Sequence, residues 1–214
     1  LRRAEANYQQ ARRVVDRYGL RLSEELAGIP GADAVRRELL EDSWQCYEAL
    51  LRQTQSDRSL RAEQAITHFK AAEIASQLGD VQRAVQQYSA AREVFAALAA
   101  EDGAAADHRG HLGLCYNNLG LVLAGSGRAD EAREAYRQAE DLAKDLCRDD
   151  PGNSLHGWRL ALVLTNSGLL YNQRGNIVQA EACYGRAIAL LDGLVNQEPQ
   201  RDEFRKDLAV AYNN

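Results

Sequence analysis

The sequence predicts an all-α fold, an α-solenoid built from antiparallel helix pairs, on three observations. Proline is scarce, with 3 in 214 residues, and Ala, Leu, Glu, Gln and Arg dominate; these are the residues that lose least on entering a helix. At an offset of 48 the sequence matches itself: Gly79, Gly127 and Gly175 coincide, as do Ala84, Ala132 and Ala180, then Tyr88, Tyr136 and Tyr184, then Ala91, Ala139 and Ala187. Within each copy, small or apolar residues such as Ala180, Tyr184, Ala187 and Leu191 recur at i, i+4 and i+7, the stripe of a buried helix face.

Taken in order, residues 1–57 fit the repeat poorly and read as a helical pair capping the array. "RRAEANYQQARRVVDRYGLRLSEELA" and "ADAVRRELLEDSWQCYEALLRQ" are two amphipathic stretches joined by "GIPG", the second with an apolar stripe at Trp44, Tyr47, Leu50 and Leu51. An exposed terminal face of a repeat array needs such a cover. Residues 58–103, 104–151 and 152–199 are three repeats, and 200–214 is the first helix of a fourth. In each complete repeat a first helix ends at a glycine, as in "RGN", where a residue able to take positive φ lets the chain reverse. A second helix follows and stops before a loop such as "RDDPGN" or "NQEPQR". These loops supply helix-ending prolines and N-cap candidates such as Asn153 and Ser154. Small residues at 84, 132 and 180, with Gly120 and Gly168, let paired helices approach, and the tyrosines fill the space beside them. No copy can bury its apolar face alone, so the copies must stack.

The spacing of Gly120, Gly127, Ala132, Tyr136 and Ala139 resembles the tetratricopeptide repeat. "YNNLGLVLAGSGRADEAREAYRQA" and "TNSGLLYNQRGNIVQAEACYGRA" carry the resemblance, and "HFKAAEIASQLGDVQRAVQQYSAA" carries it with Ala72 in place of a glycine. The usual unit has about 34 residues, so a period of 48 lengthens each helix by about two turns. "AEANYQQARRVVDRY" and "GADAVRRELLEDSWQCYEALL", followed by long-period repeats, are similar to the region after the transmembrane helix of large planctomycete-type serine/threonine protein kinases. The resemblance implies a right-handed solenoid with a concave surface lined by the first helices. It also implies a larger parent protein, tethered to a membrane through a segment before residue 1.

Composition excludes several function classes. Net charge is −5, and the 26 basic residues are interspersed with 31 acidic ones without forming a stripe, which argues against a nucleic-acid groove or an anionic membrane surface. No apolar run is long enough to cross a bilayer, so the chain is expected to be soluble and cytoplasmic. Cys46, Cys115, Cys147 and Cys183 form no CxxC and have no histidine at ligand spacing; they read as reduced, buried and structural. The Gly-Ser-Gly of "AGSGRA" follows a helix rather than the strand a phosphate loop or nucleophile elbow requires. His108 and His111 lack a third ligand and read as solvent-facing, while His68 and His156 are isolated. No catalytic residue, metal ligand or cofactor is expected, and no kinase signature is present.

What remains is a polar column inside apolar helices. Lys70, Asn118, Asn166 and Asn214 stand 48 apart, with Asn117 and Asn213 beside two of them and Asn172 further along. In peptide-binding members of the resembled family, asparagines at this position clamp the backbone of an extended peptide. An amide suits that role because it both donates and accepts. The alternative is that the amides bond to the neighbouring unit and fix its rotation. Phe69, Leu114, Leu121, Leu162 and Leu169 surround the column, so a partner with aliphatic side chains fits better than an acidic tail. Arg109, Arg159 and Lys206 are candidates for the same surface. The expected partner is a protein or peptide segment, with homo-oligomerisation as the other binding mode.

Overall fold

The computed structural model describes residues 2–54, 57, 60–101 and 106–214, with side chains from residue 6 onward. The expected repeat boundaries at 57/58 and 103/104 touch residues 58 and 102–105, which lie outside the described residues. Among the described residues the chain is all helical, with no strand. It has the architecture of a TPR-like α-solenoid of antiparallel helix pairs, and within each unit neighbouring helices pack on one another. By contacts it falls into two compact units, Leu1–Asp102 and Gly103–Asn214.

In the first unit, α1 (Arg2–Val15) runs through a π-helical turn (Asp16–Arg21) into α2 (Leu22–Leu26), and α3 (Asp33–Thr54) returns after a turn at Gly31. The sequence suggested one uninterrupted first helix; the π-turn instead brings Gly19 against Ser43, where a Cβ would lie 2.1 Å from the hydroxyl oxygen. The same turn presents Asp16 to Tyr47, whose fully buried hydroxyl donates to the carboxylate. Trp44 and Tyr47 of α3 are buried as the apolar stripe requires. The pair is fastened to α4 (Arg61–Gln77) by Tyr8 donating to Thr67 at 2.8 Å and by Arg12 bonding Glu63. α4 then pairs with α5 (Val81–Glu101).

The second unit holds α6 (Ala106–Gly125) paired with α7 (Ala129–Asp149), α8 (Ser154–Gln173) paired with α9 (Ile177–Gln197), and α10 (Asp202–Asn213). α7 also packs on α8, α9 on α10, and α6 on α8. Ala143, Leu160, Ala161, Leu164, Leu191 and Phe204 share one core. Each of the three pairs reverses at its expected glycine: Gly79, Gly127 and Gly175 have φ of 76°, 81° and 74°. At all three, the residue after the glycine bonds back to the carbonyl five residues earlier, as in Arg128 N–H to Leu123 O at 2.9 Å. That is the Schellman closure of a helix end. Asn153 caps α8 by accepting from Leu155 N–H at 3.2 Å.

Two residue-level expectations change. Cys46 is exposed, and Cys147 and Cys183 are half-buried, so only Cys115 fits the buried reading; all four are free thiols. Phe69 does not line a groove: it is 9 % exposed, with its ring edge-on to Tyr88 at 5.4 Å.

Candidate ligand groove

First helices of the second unit meet at a fixed register of i to i+49. Asn166 Nδ2 donates to Asn117 Oδ1 at 2.9 Å, and Trp158 Nε1 donates to Asp207 at 2.6 Å. At the α6–α8 seam the amides form a chain: Asn166 donates to Asn117, and Asn117 Nδ2 donates to Asn118 Oδ1 at 3.0 Å. Asn117 is buried, while Asn118 and Asn166 are half-buried. The inter-unit bond weighed from the sequence is therefore present, formed by Asn166 with Asn117 rather than with the aligned Asn118. Bonds linked in series polarise one another in one direction. The last oxygen in the series, Asn166 Oδ1, accepts from no described residue.

The other candidates are placed as follows. Lys70 belongs to the first unit, where its ammonium bonds Glu73 at 2.7 Å and lies 5.8 Å from the Phe69 ring centroid. Burial raises the Glu73 carboxyl above the usual range, and Lys70 opposes that shift. Asn172 is exposed near the end of α8, six residues past Asn166 and off its stripe. Asn213 and Asn214 are exposed at the end of α10 and make no side-chain hydrogen bond to a described residue. Along the seam Leu114, Leu162 and Leu169 are half-buried, and Leu121 is 41 % exposed.

Further along the seam lie groups whose environment the sequence did not reveal. Arg109 bonds Asp149 at 2.7 Å. Arg159 lies against Gly110, again at i and i+49, and its Nε is buried without a partner. His156 is 5 % exposed with Nδ1 buried and unsatisfied, so it is a core residue. His111 meets the Asp107 carbonyl at 2.8 Å, and burial holds its pKa below the usual value, as it does for His68 and His156. His108 and His111 are half-buried rather than solvent-facing. No group of metal-binding side chains occurs among the described residues, and none of their helices is long and apolar enough to cross a membrane.

No curated protein matches the chain in sequence. Its fold is similar to that of BtubC (BKLC) from P. vanneervenii, with a TM-score of 0.61 at 18 % identity, covering 99 % of this chain and 83 % of that one. It is also similar to a presumed kinesin light chain of Podosopora anserina with nearly identical TPR-like repeats, with a TM-score of 0.57 at 15 % identity, covering 98 % of this chain and 87 % of that one. Residues 115–146, which hold the Asn117–Asn118 pair, the Gly127 turn and most of α7, match the tetratricopeptide repeat family model, so the chain is a TPR-like helical repeat protein in fold, with that repeat at its centre.

Proposed function

We propose that this chain is a non-catalytic scaffold that binds an extended protein segment along the first helices of its repeats, centred on Asn118 and Asn166. The observation that carries this reading is the oriented amide chain. Asn166 is held by its donor to Asn117, which leaves Oδ1 accepting from no described residue on a half-exposed side chain. A fixed acceptor costs little further ordering when it takes a backbone N–H from a ligand. Flanking Leu121, Leu162 and Leu169 offer apolar contact to the segment's side chains. The resemblance of nearly the whole chain, its first two helical stretches followed by long-period repeats, to the kinase repeat region supports a narrower version, in which the scaffold serves a larger serine/threonine kinase; the mass of the whole gene product checks that.

The test begins with peptides selected from a random displayed library on the whole 214-residue chain. Asn118→Ala and Asn166→Ala are each expected to weaken the selected peptides by about fivefold, the value of one hydrogen bond near 1 kcal/mol. Arg137→Ala, on the exposed face of α7 where Arg137 pairs with Glu134 and Asp141, is expected to leave affinity unchanged. Peptides that lose affinity on Arg137→Ala and not on the asparagine changes would place binding elsewhere.

A further inference from the structure

Two first-helix columns that are apolar and buried in the first two complete copies turn polar in the third. At offsets of 48, Ala71 and Leu119 align with Ser167, and Ala75 and Leu123 align with Tyr171; the four earlier residues are at most 6 % exposed. On α9, Cys183 likewise stands where α7 has the buried Ala135. The three altered positions meet at a pocket of about 330 Å³ formed by α7, α8 and α9, which shares no residue with the groove around Asn118 and Asn166. Ser167 is 7 % exposed, yet its hydroxyl bonds no described residue. Thr165, two residues earlier, shows the usual solution for a hydroxyl inside a helix: it donates to Ala161 O, four residues back, at 2.9 Å. Ser167 leaves that bond unmade. A core position has therefore given up apolar burial for a hydroxyl that is served only from the pocket it lines.

We propose that this pocket binds a small, uncharged aromatic molecule carrying one hydroxyl or ring N–H, with Ser167 as its hydrogen-bond partner. Small-molecule sites span about 300–1,000 Å³, and a volume at the lower end suits one or two rings. Leu170, Tyr136 and Tyr171 line the pocket with apolar and ring surface, which an aromatic ligand meets edge-on or offset. Cys183 adds a soft sulfur, and burial pushes its thiol up, so this wall stays protonated and uncharged. The lining arginines are the reason for a neutral ligand. Arg133, Arg137 and Arg186 already face carboxylates, Asp130 at 3.4 Å, Glu134 at 2.6 Å and Glu140 at 2.8 Å. Guanidinia paired in this way have little charge left to offer, but their flat faces suit stacking on a ring. Water serves Ser167 in the free chain. A ligand that displaces it without a polar atom forfeits that bond, which favours a hydroxyl or ring N–H over a bare hydrocarbon.

The test titrates phenol, toluene and cyclohexanol into the 15N-labelled 214-residue chain, following the backbone amide signals of Ser167, Leu170 and Cys183. Phenol is expected to bind about fivefold tighter than toluene, the size of one neutral hydrogen bond, and tighter than cyclohexanol, which keeps the hydroxyl and lacks the ring. Ser167→Ala is expected to bring phenol down to the level of toluene. Ser167→Leu, which restores the residue of the preceding copy, is expected to fill the pocket and abolish binding of all three, with thermal melts confirming that both variants fold. Phenol that binds no tighter than toluene or cyclohexanol, or a preference that survives Ser167→Ala, overturns the proposal. So does the absence of any shift at the three amides.

Discussion

Gly120 and Gly168 sit where a first helix crosses the tyrosine of its partner, and the clearance there is small. A Cβ at these positions would lie 2.5 Å from Tyr136 and 2.6 Å from Tyr184, against ring carbons that are themselves buried. Gly120→Ala and Gly168→Ala are therefore expected to lower stability. Overpacking costs ~1–3 kcal/mol, offset by the ~1 kcal/mol that alanine gains over glycine in a helix; denaturant titration of each variant measures the balance. Gly127 differs, since nothing lies within 4 Å and only its φ of 81° demands glycine. The glycine columns were legible in the sequence because each records a clearance or a dihedral that recurs every 48 residues. The amide pairing was not. Alignment by 48 matches Asn118 with Asn166, whereas packed first helices slide by one more residue and set Asn117 against Asn166. A double-mutant cycle on Asn117→Ala and Asn166→Ala is expected to show a coupling of ~1 kcal/mol; strict additivity would mean the bond contributes nothing.

The second helices show which face of a pair is under steric pressure. Ala132 and Ala139 of α7, and Ala187 of α9, are fully buried, and Ala180 is 3 % exposed. Their outer faces carry pairs such as Arg137–Glu134 and Arg128–Glu131, each worth only tenths of a kcal/mol. Ala132→Leu or Ala180→Leu is expected to destabilise by ~1–3 kcal/mol through overpacking, and unchanged melts for both would show that these alanines can yield. Helix pairing could be read from periodicity because a buried face must repeat at 3.6 residues. The π-turn at Asp16–Arg21 could not, since it follows from tertiary contact: Ser43 against Gly19 and Tyr47 against Asp16. Phe69 was misplaced for a related reason. Its column holds Asn117 and Thr165 in later copies, and a column that varies in polarity does not reveal its direction.

For the whole molecule, three of the four histidines share one sign of pH dependence. Burial lowers the pKa of His68, His111 and His156 below 6.5. In the unfolded chain each binds a proton near pH 6.5 that the folded chain resists, so the unfolded state holds more protons and stability falls as pH drops through that range. Glu73, raised by burial, acts in the opposite direction as one group against three. Melting temperature is expected to fall between pH 7.5 and 5.5, and a flat or rising profile would show the histidines to be solvated. A net charge of −5 spread among mixed signs gives no long-range field to steer a partner, so the proposed recognition would rely on local groups. In the proposed function Asn166 is the group in which repeat packing and ligand binding would meet, since its amide N–H already donates to Asn117. The decisive measurement is the affinity of Asn166→Ala for a selected peptide, taken well below its own melting temperature. If the groove holds the segment, affinity falls about fivefold alongside a modest loss of stability; a lowered melt with affinity unchanged would mean that the asparagine only joins one repeat to the next.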